Sequence, residues 1–158
     1  RKNKRRFTMK NEEGIHVLAR AVIIENNHLL VTTDIKRQVS FLPGGHIHYG
    51  EQVKEALQRE LTEELGEIFV VNHLLGVIED GWDYKGALYH GIHFIFNVTA
   101  TQDNLLSRLK SQENELALSW VDIEKIETKN LFPKLLAKKI PRWLKADGID
   151  ICTEWTWA

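Results

Sequence analysis

A single cysteine, Cys152, excludes an intrachain disulfide and any metal site built on paired thiolates. A long apolar run is also missing. The richest stretch, Ile68 to Ile78, is broken by Asn72 and His73, and a membrane-crossing helix needs roughly 18–20 residues. No membrane-spanning segment is expected. No apolar segment follows the basic start of the chain, so a secretory signal is not expected and a cytoplasmic protein is. Internal repeats, low-complexity stretches and linkers are lacking as well.

What is present describes one globular domain: 158 residues, 43% hydrophobic and 27% charged, enough for a single proper core. The charges are near balance in number but not in place. Arg1, Lys2, Lys4, Arg5 and Arg6 crowd the first six residues, leaving sixteen positive against twenty-two negative charges for the rest. A mildly acidic body is not expected to coat nucleic acid. Residues 1–13 read as a mobile basic tail, with an RNA or lipid head group as the sharper alternative. Residues 14–145 read as the domain and 146–158 as an extension. Trp155 and Trp157 would share one face of an extended segment there, covering the domain's own surface or a homodimer contact.

Strands are expected at His16–Ile24, Leu29–Thr33, Phe69–Ile78, Ala87–Thr99 and Leu116–Val121, with a turn at Glu25–His28. Helices are expected at about Glu51–Leu65, stopped by Gly66, and at Leu105–Lys110. A third is expected from near Asn130, with Pro133 in its first turn and Pro141 at its end. Strands surround helices without strict alternation, which predicts one α+β or mixed-sheet α/β domain.

The helix after Glu51 carries the chemistry. At about 100° per residue, Val53, Ala56, Leu57, Leu61 and Leu65 form one apolar stripe. Glu60 and Glu64 fall at its edge or inside it, and Glu63 lies on its flank, within reach of Glu60. Carboxylates turned toward a protein body repel one another and lose hydration, unless something compensates. A divalent cation does so. Oxygen donors without cysteine favour Mg2+ or Mn2+ over Ca2+, and such sites also take substrate phosphates.

The wider pattern resembles the Nudix box: glycine, five residues, glutamate, seven residues, then Arg-Glu-apolar-any-Glu-Glu-any-Gly-apolar. Gly45, Glu51, Arg59, Glu60, Leu61, Glu63, Glu64 and Gly66 match it. At roughly 6% usage per residue type, seven fixed identities coincide about once in 10⁸ to 10⁹ windows. Glu67 stands where an apolar residue is usual. The approach Leu42-Pro43-Gly44-Gly45 also agrees, and Glu115, before Trp120, resembles an acid that many members place in a later segment.

The resemblance implies an α/β/α sandwich with a mixed sheet, and hydrolysis of a nucleoside diphosphate linked to another group by water attack on phosphorus. It implies that Glu60, Glu63, Glu64 and the Gly45 carbonyl hold magnesium, with manganese as an alternative. Glu51 and Arg59 would orient those carboxylates. The general base is left open among Glu64, Glu60 and Glu115.

Other residues are candidates for the substrate, which is expected to be a small nucleotide. His48 meets substrate phosphate or is an exposed loop histidine. Trp82 or Tyr84 could stack a base. Arg20, a lone charge in an apolar strand, reaches phosphate or sits on an exposed face. His90 and His93 fall on opposite sides of their strand, which opposes joint metal binding. The absence of proline between Pro43 and Pro133 counts against ADP-ribose. The alternatives are an RNA 5′-pyrophosphohydrolase, which would use the basic tail, and a non-catalytic ligand sensor; intact Glu60, Glu63 and Glu64 oppose the sensor.

Overall fold

Successive residues of the first strand, β1 (Ile15–Glu25), turn to opposite faces: Ala19, Ala21 and Ile23 one way, Val22 the other. The chain therefore has to be covered on both sides. A computed structural model shows how, describing residues 14–156 apart from the side chain of Tyr84. The expected basic tail and Trp157 lie outside the described residues.

Asn26 and Asn27 both take positive φ (49° and 62°), a two-residue turn that returns the chain as β2 (His28–Asp34). β3 (Val39–Phe41) and β4 (Gly44–His46) follow, β3 on β2 and β4 antiparallel to β1. Helix α1 (Val53–Leu65) is closed by Gly66 in the left-handed region (φ 73°), as expected. β5 (Phe69–Tyr84) and β6 (Ala87–Ala100) make a long antiparallel hairpin, and β6 lies parallel to β1. β5 runs past its expected end at Ile78 because Lys85 and Gly86, with φ of 54° and 81°, delay the turn.

After a one-turn helix, α2 (Leu105–Arg108), β7 (Leu116–Asp122) pairs antiparallel with β2, and a 3-10 turn covers Ile123–Thr128. Beyond it the expected third helix is corrected. Leu131–Phe132 forms a short strand, β8, beside β3, and helix α3 begins only at Leu135 and runs to Trp143. Pro141 lies inside it rather than ending it. Its missing N–H removes one bond in the last turn. Burial of Ile140 and Trp143 in the core on either side offsets that loss. β9 (Asp150–Trp155) ends the described chain as an edge strand parallel to β5.

The strand order is β8-β3-β2-β1-β6-β5-β9, with β4 on β1 and β7 on β2. One core packs α1 residues Leu57, Leu61 and Leu65 against Ala19, Ala21, Phe96 and Val98. The other packs α3 residues Leu136, Ile140 and Trp143 against Val22, Ile78 and Ile95. Helices on both faces of a mixed sheet give the expected α/β/α sandwich. No helix among the described residues is long and apolar enough to cross a membrane.

Candidate active site

The stripe of α1 that buries Leu57, Leu61 and Leu65 carries Glu64 down with it, and Glu64 is only 7% exposed. Its Oε2 accepts a hydrogen bond from Gly44 N–H at 3.0 Å. Burial pushes its carboxyl up to about 8, against the opposing pull of Arg20 and the Gly44 N–H, with Glu60 and Glu113 adding to the rise. Glu63, one residue earlier, stands on the flank, its side chain 56% exposed.

The double glycine before the helix is a steric requirement. At Gly44, φ is 128° and a Cβ would lie 2.2 Å from the Ala19 carbonyl oxygen. At Gly45 a Cβ would lie 2.5 Å from Glu60 Cδ and 2.6 and 2.8 Å from its oxygens. The Glu60 carboxylate therefore rests in the space that a side chain at 45 would fill.

Arg59 orders this group. Its Nε and Nη2 donate to both oxygens of Glu51 at 2.8 and 3.1 Å, Nη1 to Glu60 Oε1 at 2.7 Å, and Nη2 to the His46 carbonyl at 3.0 Å. A planar fork suits such divergent acceptors. Those bonds hold the Glu51 carboxyl at about 2 and raise the guanidinium above its ordinary value. Glu51 also accepts from His48 N–H at 3.0 Å, which fastens the loop, while the His48 ring is exposed.

The other sequence candidates fall in different places. Arg20 is pinned: Nη1 donates to the carbonyls of Leu42 (3.1 Å) and Gly44 (2.6 Å), and its guanidinium lies 5.6 Å from the centre of the Phe41 ring. Glu115 pairs with Lys36 at 2.7 Å, with its side chain 60% exposed. Trp82 lies 5.1 Å from the Tyr89 ring and 6.4 Å from Phe132. Tyr84 pairs through its backbone with Ala87, and its side chain lies outside the described residues. His90 and His93 diverge, His90 to Glu79 and His93 to Asp80, each at 2.9 Å.

Some neighbours were invisible in the spacing. Glu113 is the acid of its loop that acts on Glu64, because Gln112 N–H donates to the Glu64 carbonyl at 2.8 Å and brings the loop onto the helix end. Its only sequence signal is an acid two residues before Glu115. His16 meets His46 at 3.0 Å and stacks on Tyr89 with centroids 4.8 Å apart. Burial, Arg20 and the surrounding histidines hold His46 down at about 4.

Glu60, Glu63, Glu64 and the Gly45 carbonyl are hard oxygen donors, a chemistry that would suit Mg2+ or Mn2+. The Glu60 cradle over Gly45 and the buried carboxyl of Glu64 fit that group. Among the described residues no three His, Cys, Asp or Glu side chains already converge on one point. Glu64 is turned to Gly44, Glu60 to Arg59, and the largely exposed Glu63 lies 3.8 Å from Arg59 Nη1.

Comparison with known proteins bears on this arrangement. The sequence model of the NUDIX domain matches residues 15–144. No curated protein matches the sequence. Among solved structures, a MutT protein from Methanosarcina mazei Go1 superposes with a TM-score of 0.66 at 22% identity, covering 85% of this chain and 96% of that one. A MutT protein from Bacillus halodurans gives 0.64 at 20% identity, with 89% of each chain covered. An ADP-ribose pyrophosphatase from Streptococcus suis gives 0.55 at 15% identity, covering 88% of this chain and 98% of the other. At such identities the likeness is one of fold.

Proposed function

Because the chain belongs to the NUDIX family, a family of phosphoanhydride hydrolases, we propose that it is a divalent-metal-dependent pyrophosphohydrolase of a small nucleotide. It cleaves a nucleoside diphosphate linked to another group. The observation that carries this reading is the buried Glu64 beside a Glu60 carboxylate seated over Gly45, with Arg59 spanning Glu51 and Glu60.

Glu60, Glu63, Glu64 and the Gly45 carbonyl would hold Mg2+, or Mn2+. When bound, the metal offsets charge on the diphosphate and makes water a stronger nucleophile. The reaction forms one oxygen–phosphorus bond from water and breaks one anhydride bond, and the water proton passes to a protein base. Glu64 is the best placed of the three candidates. Glu60 is bonded to Arg59 and Glu115 to Lys36, whereas the Glu64 carboxyl meets only the Gly44 N–H among the bonds described above. Arg59 and Glu51 fix the orientation of the helix carboxylates. His48, exposed at the loop tip, would meet phosphate, and Arg20, held on the Leu42 and Gly44 carbonyls, would act on it through its charge.

The test is a hydrolysis screen of the purified chain against a nucleotide panel with and without Mg2+, beside Glu64→Gln. Wild-type turnover that needs the metal, nearly abolished in the folded variant, is expected. Full turnover in the variant would remove Glu64 from the chemistry. Nucleotide binding without turnover on any substrate would leave a ligand sensor.

One observation favours a second reading, an RNA 5′-pyrophosphohydrolase. From Lys125 to Lys145 there are seven lysines and arginines against one glutamate. Lys134, Lys138, Arg142 and Lys145 are exposed along α3 and its end. Lys129, Lys134 and Lys138 line a groove of about 340 Å³. Activity on 5′-triphosphorylated RNA that falls when residues 1–8 are removed, or when Lys134 and Lys138 become glutamate, would support it over the small-nucleotide reading.

A further inference from the structure

Helix α1 packs on Ala19, Ala21, Ile23, Phe96 and Val98, part of one face of the sheet. By strand alternation the same face continues as Ile15 on β1 and as Leu88, His90 and Ile92 on β6. The pairing of β5 with β6 and β9 adds Val77 and Glu79, then Ile151, Thr153 and Trp155. Ile15, Leu88 and Ile151 belong to neither core. Ile151 is 75% exposed, Leu88 62%, Ile15 56% and Trp155 42%.

Trp155 is the ordered feature of this patch. Its ring lies on Gly81, where a Cβ would stand 2.6, 2.7 and 2.9 Å from it, and it meets the His90 ring edge-on at 5.0 Å and 87°. With a glycine at position 81 the indole lies down on its own sheet and still offers an outer side. A ring fixed in this way loses little freedom on contact, and tryptophan is among the residue types that most often anchor an interface.

Charge decides what can cover the face. Its ionisable pair, Glu79 and His90, is bonded together at 2.9 Å, and Asp83 at the hairpin end accepts from the Gly86 N–H at 2.8 Å. No lysine or arginine stands at these strand positions. Such a surface does not repel a copy of itself. The α3 side does, with Lys134, Lys138, Arg142 and Lys145 exposed. A two-fold contact uses the same patch on both copies, so the apolar face suits it and the basic one does not. Size agrees. The four exposed apolar side chains leave about 500 Å² in water on each copy, so two copies would bury about 1,000 Å², where specific interfaces begin. Thr153 and the half-buried Val77 and Ile92 between them carry the contact past that bound.

We propose that this face is a homodimer interface, in which two copies stack the open ends of their sheets about a two-fold axis on Trp155, Leu88 and Ile151. The interface goes beyond the hydrolase reading and does not depend on it, since Glu51, Arg59, Glu60, Glu63 and Glu64 lie outside the patch.

The test is the molar mass of the full chain by light scattering during gel filtration, loaded at roughly 1–100 μM, a range suited to an interface of this size. A mass of two chains is expected toward the upper end. Leu88→Glu and Ile151→Glu each set two unpaired carboxylates in the contact, one from each copy, and should raise the dissociation constant at least about 100-fold. Both side chains are exposed in the single chain, so circular dichroism should show both variants folded. Lys138→Glu, on the α3 side, should leave the dimer intact. A mass of one chain throughout the range overturns the interface. A dimer that persists in both Leu88→Glu and Ile151→Glu also overturns it, by placing the contact elsewhere. A full chain that stays single and dimerises only after removal of residues 1–13 gives the face to that segment of the same chain, and overturns it as well. Nucleotide hydrolysis is measured on the same samples. A dimer lost in both variants but without turnover keeps the interface and removes the hydrolase reading, and turnover by a single chain does the reverse.

Discussion

Gly44 and Gly45 are adjacent, yet an alanine at each should fail in a different way. At Gly44 the added Cβ meets backbone, 2.2 Å from the Ala19 oxygen and 3.1 Å from Arg20 Cα, at a φ of 128°. The strand has to move, and a left-handed alanine is strained besides. Overpacking of this kind costs about 1–3 kcal/mol and the backbone conformation about 1–2 kcal/mol more. For a chain of 158 residues, each kcal/mol lowers Tm by roughly 2–4 °C. Gly44→Ala should therefore melt roughly 4–20 °C below wild type.

At Gly45 the Cβ meets the flexible end of Glu60, not backbone. The side chain can swing away at little expense to the fold, and Tm should fall by only about 2–3 °C, as for a surface change of under about 1 kcal/mol. What is lost is position. Glu60 leaves its cradle, and a displacement near 1 Å in a catalytic group costs about 10²-fold in rate. Thermal unfolding, Mn2+ titration by calorimetry and nucleotide hydrolysis on both variants separate the two effects. Gly45→Ala with wild-type Mn2+ affinity and turnover would refute the reasoning, because Glu60 would then not need the space above Gly45.

Arg59→Lys keeps the charge and loses the fork to Glu51, Glu60 and the His46 carbonyl; metal affinity or activity should fall about 10–100-fold, measured by titration and turnover. The Glu51 carboxyl is held at about 2 when folded, against an ordinary 4.5. Its stabilisation is therefore complete above the unfolded pKa and is lost as pH falls from about 4.5 toward 2. Glu51→Gln should flatten that limb of the stability curve measured by urea unfolding. Trp143→Ala empties the core between α3 and the sheet and should cost about 3–5 kcal/mol, read from the same unfolding curves.

The fold was legible wherever local chemistry decides it: the apolar alternation of β1, the Asn26-Asn27 turn and the Gly66 stop on α1. It was not legible where tertiary contacts override local preference. Pro141 reads as a helix end, but Ile140 and Trp143 bury on either side of it and hold the last turn. Leu131–Phe132 is a strand only because β3 offers it an edge. The carboxylate helix could be read because its residues are close in sequence, with spacing equal to geometry. Asp80 and His93 could not, since they meet only through the register of a hairpin whose turn lies at Lys85-Gly86. Glu113 entered through the same kind of gap. A loop bond from Gln112 to the end of α1, rather than any motif, sets it beside Glu64.

Arg20 shows why a lone charge in an apolar strand is neither an accident nor a surface feature. Glu64 loses hydration in the α1 core and Asp80 does so on the α3 face, and either loss calls for compensating charge or hydrogen bonds nearby. β1 runs through the sheet between these regions, with β4 on one side and β6 on the other. A guanidinium there bonds the Leu42 and Gly44 carbonyls and still acts on Glu64, His46, Tyr89 and His93. The Gly44 carbonyl is thereby held from one side while the Gly44 N–H holds Glu64 from the other. One fixed cation thus orders the backbone beside the carboxylates and acts on the buried Tyr89 and His93 beyond it.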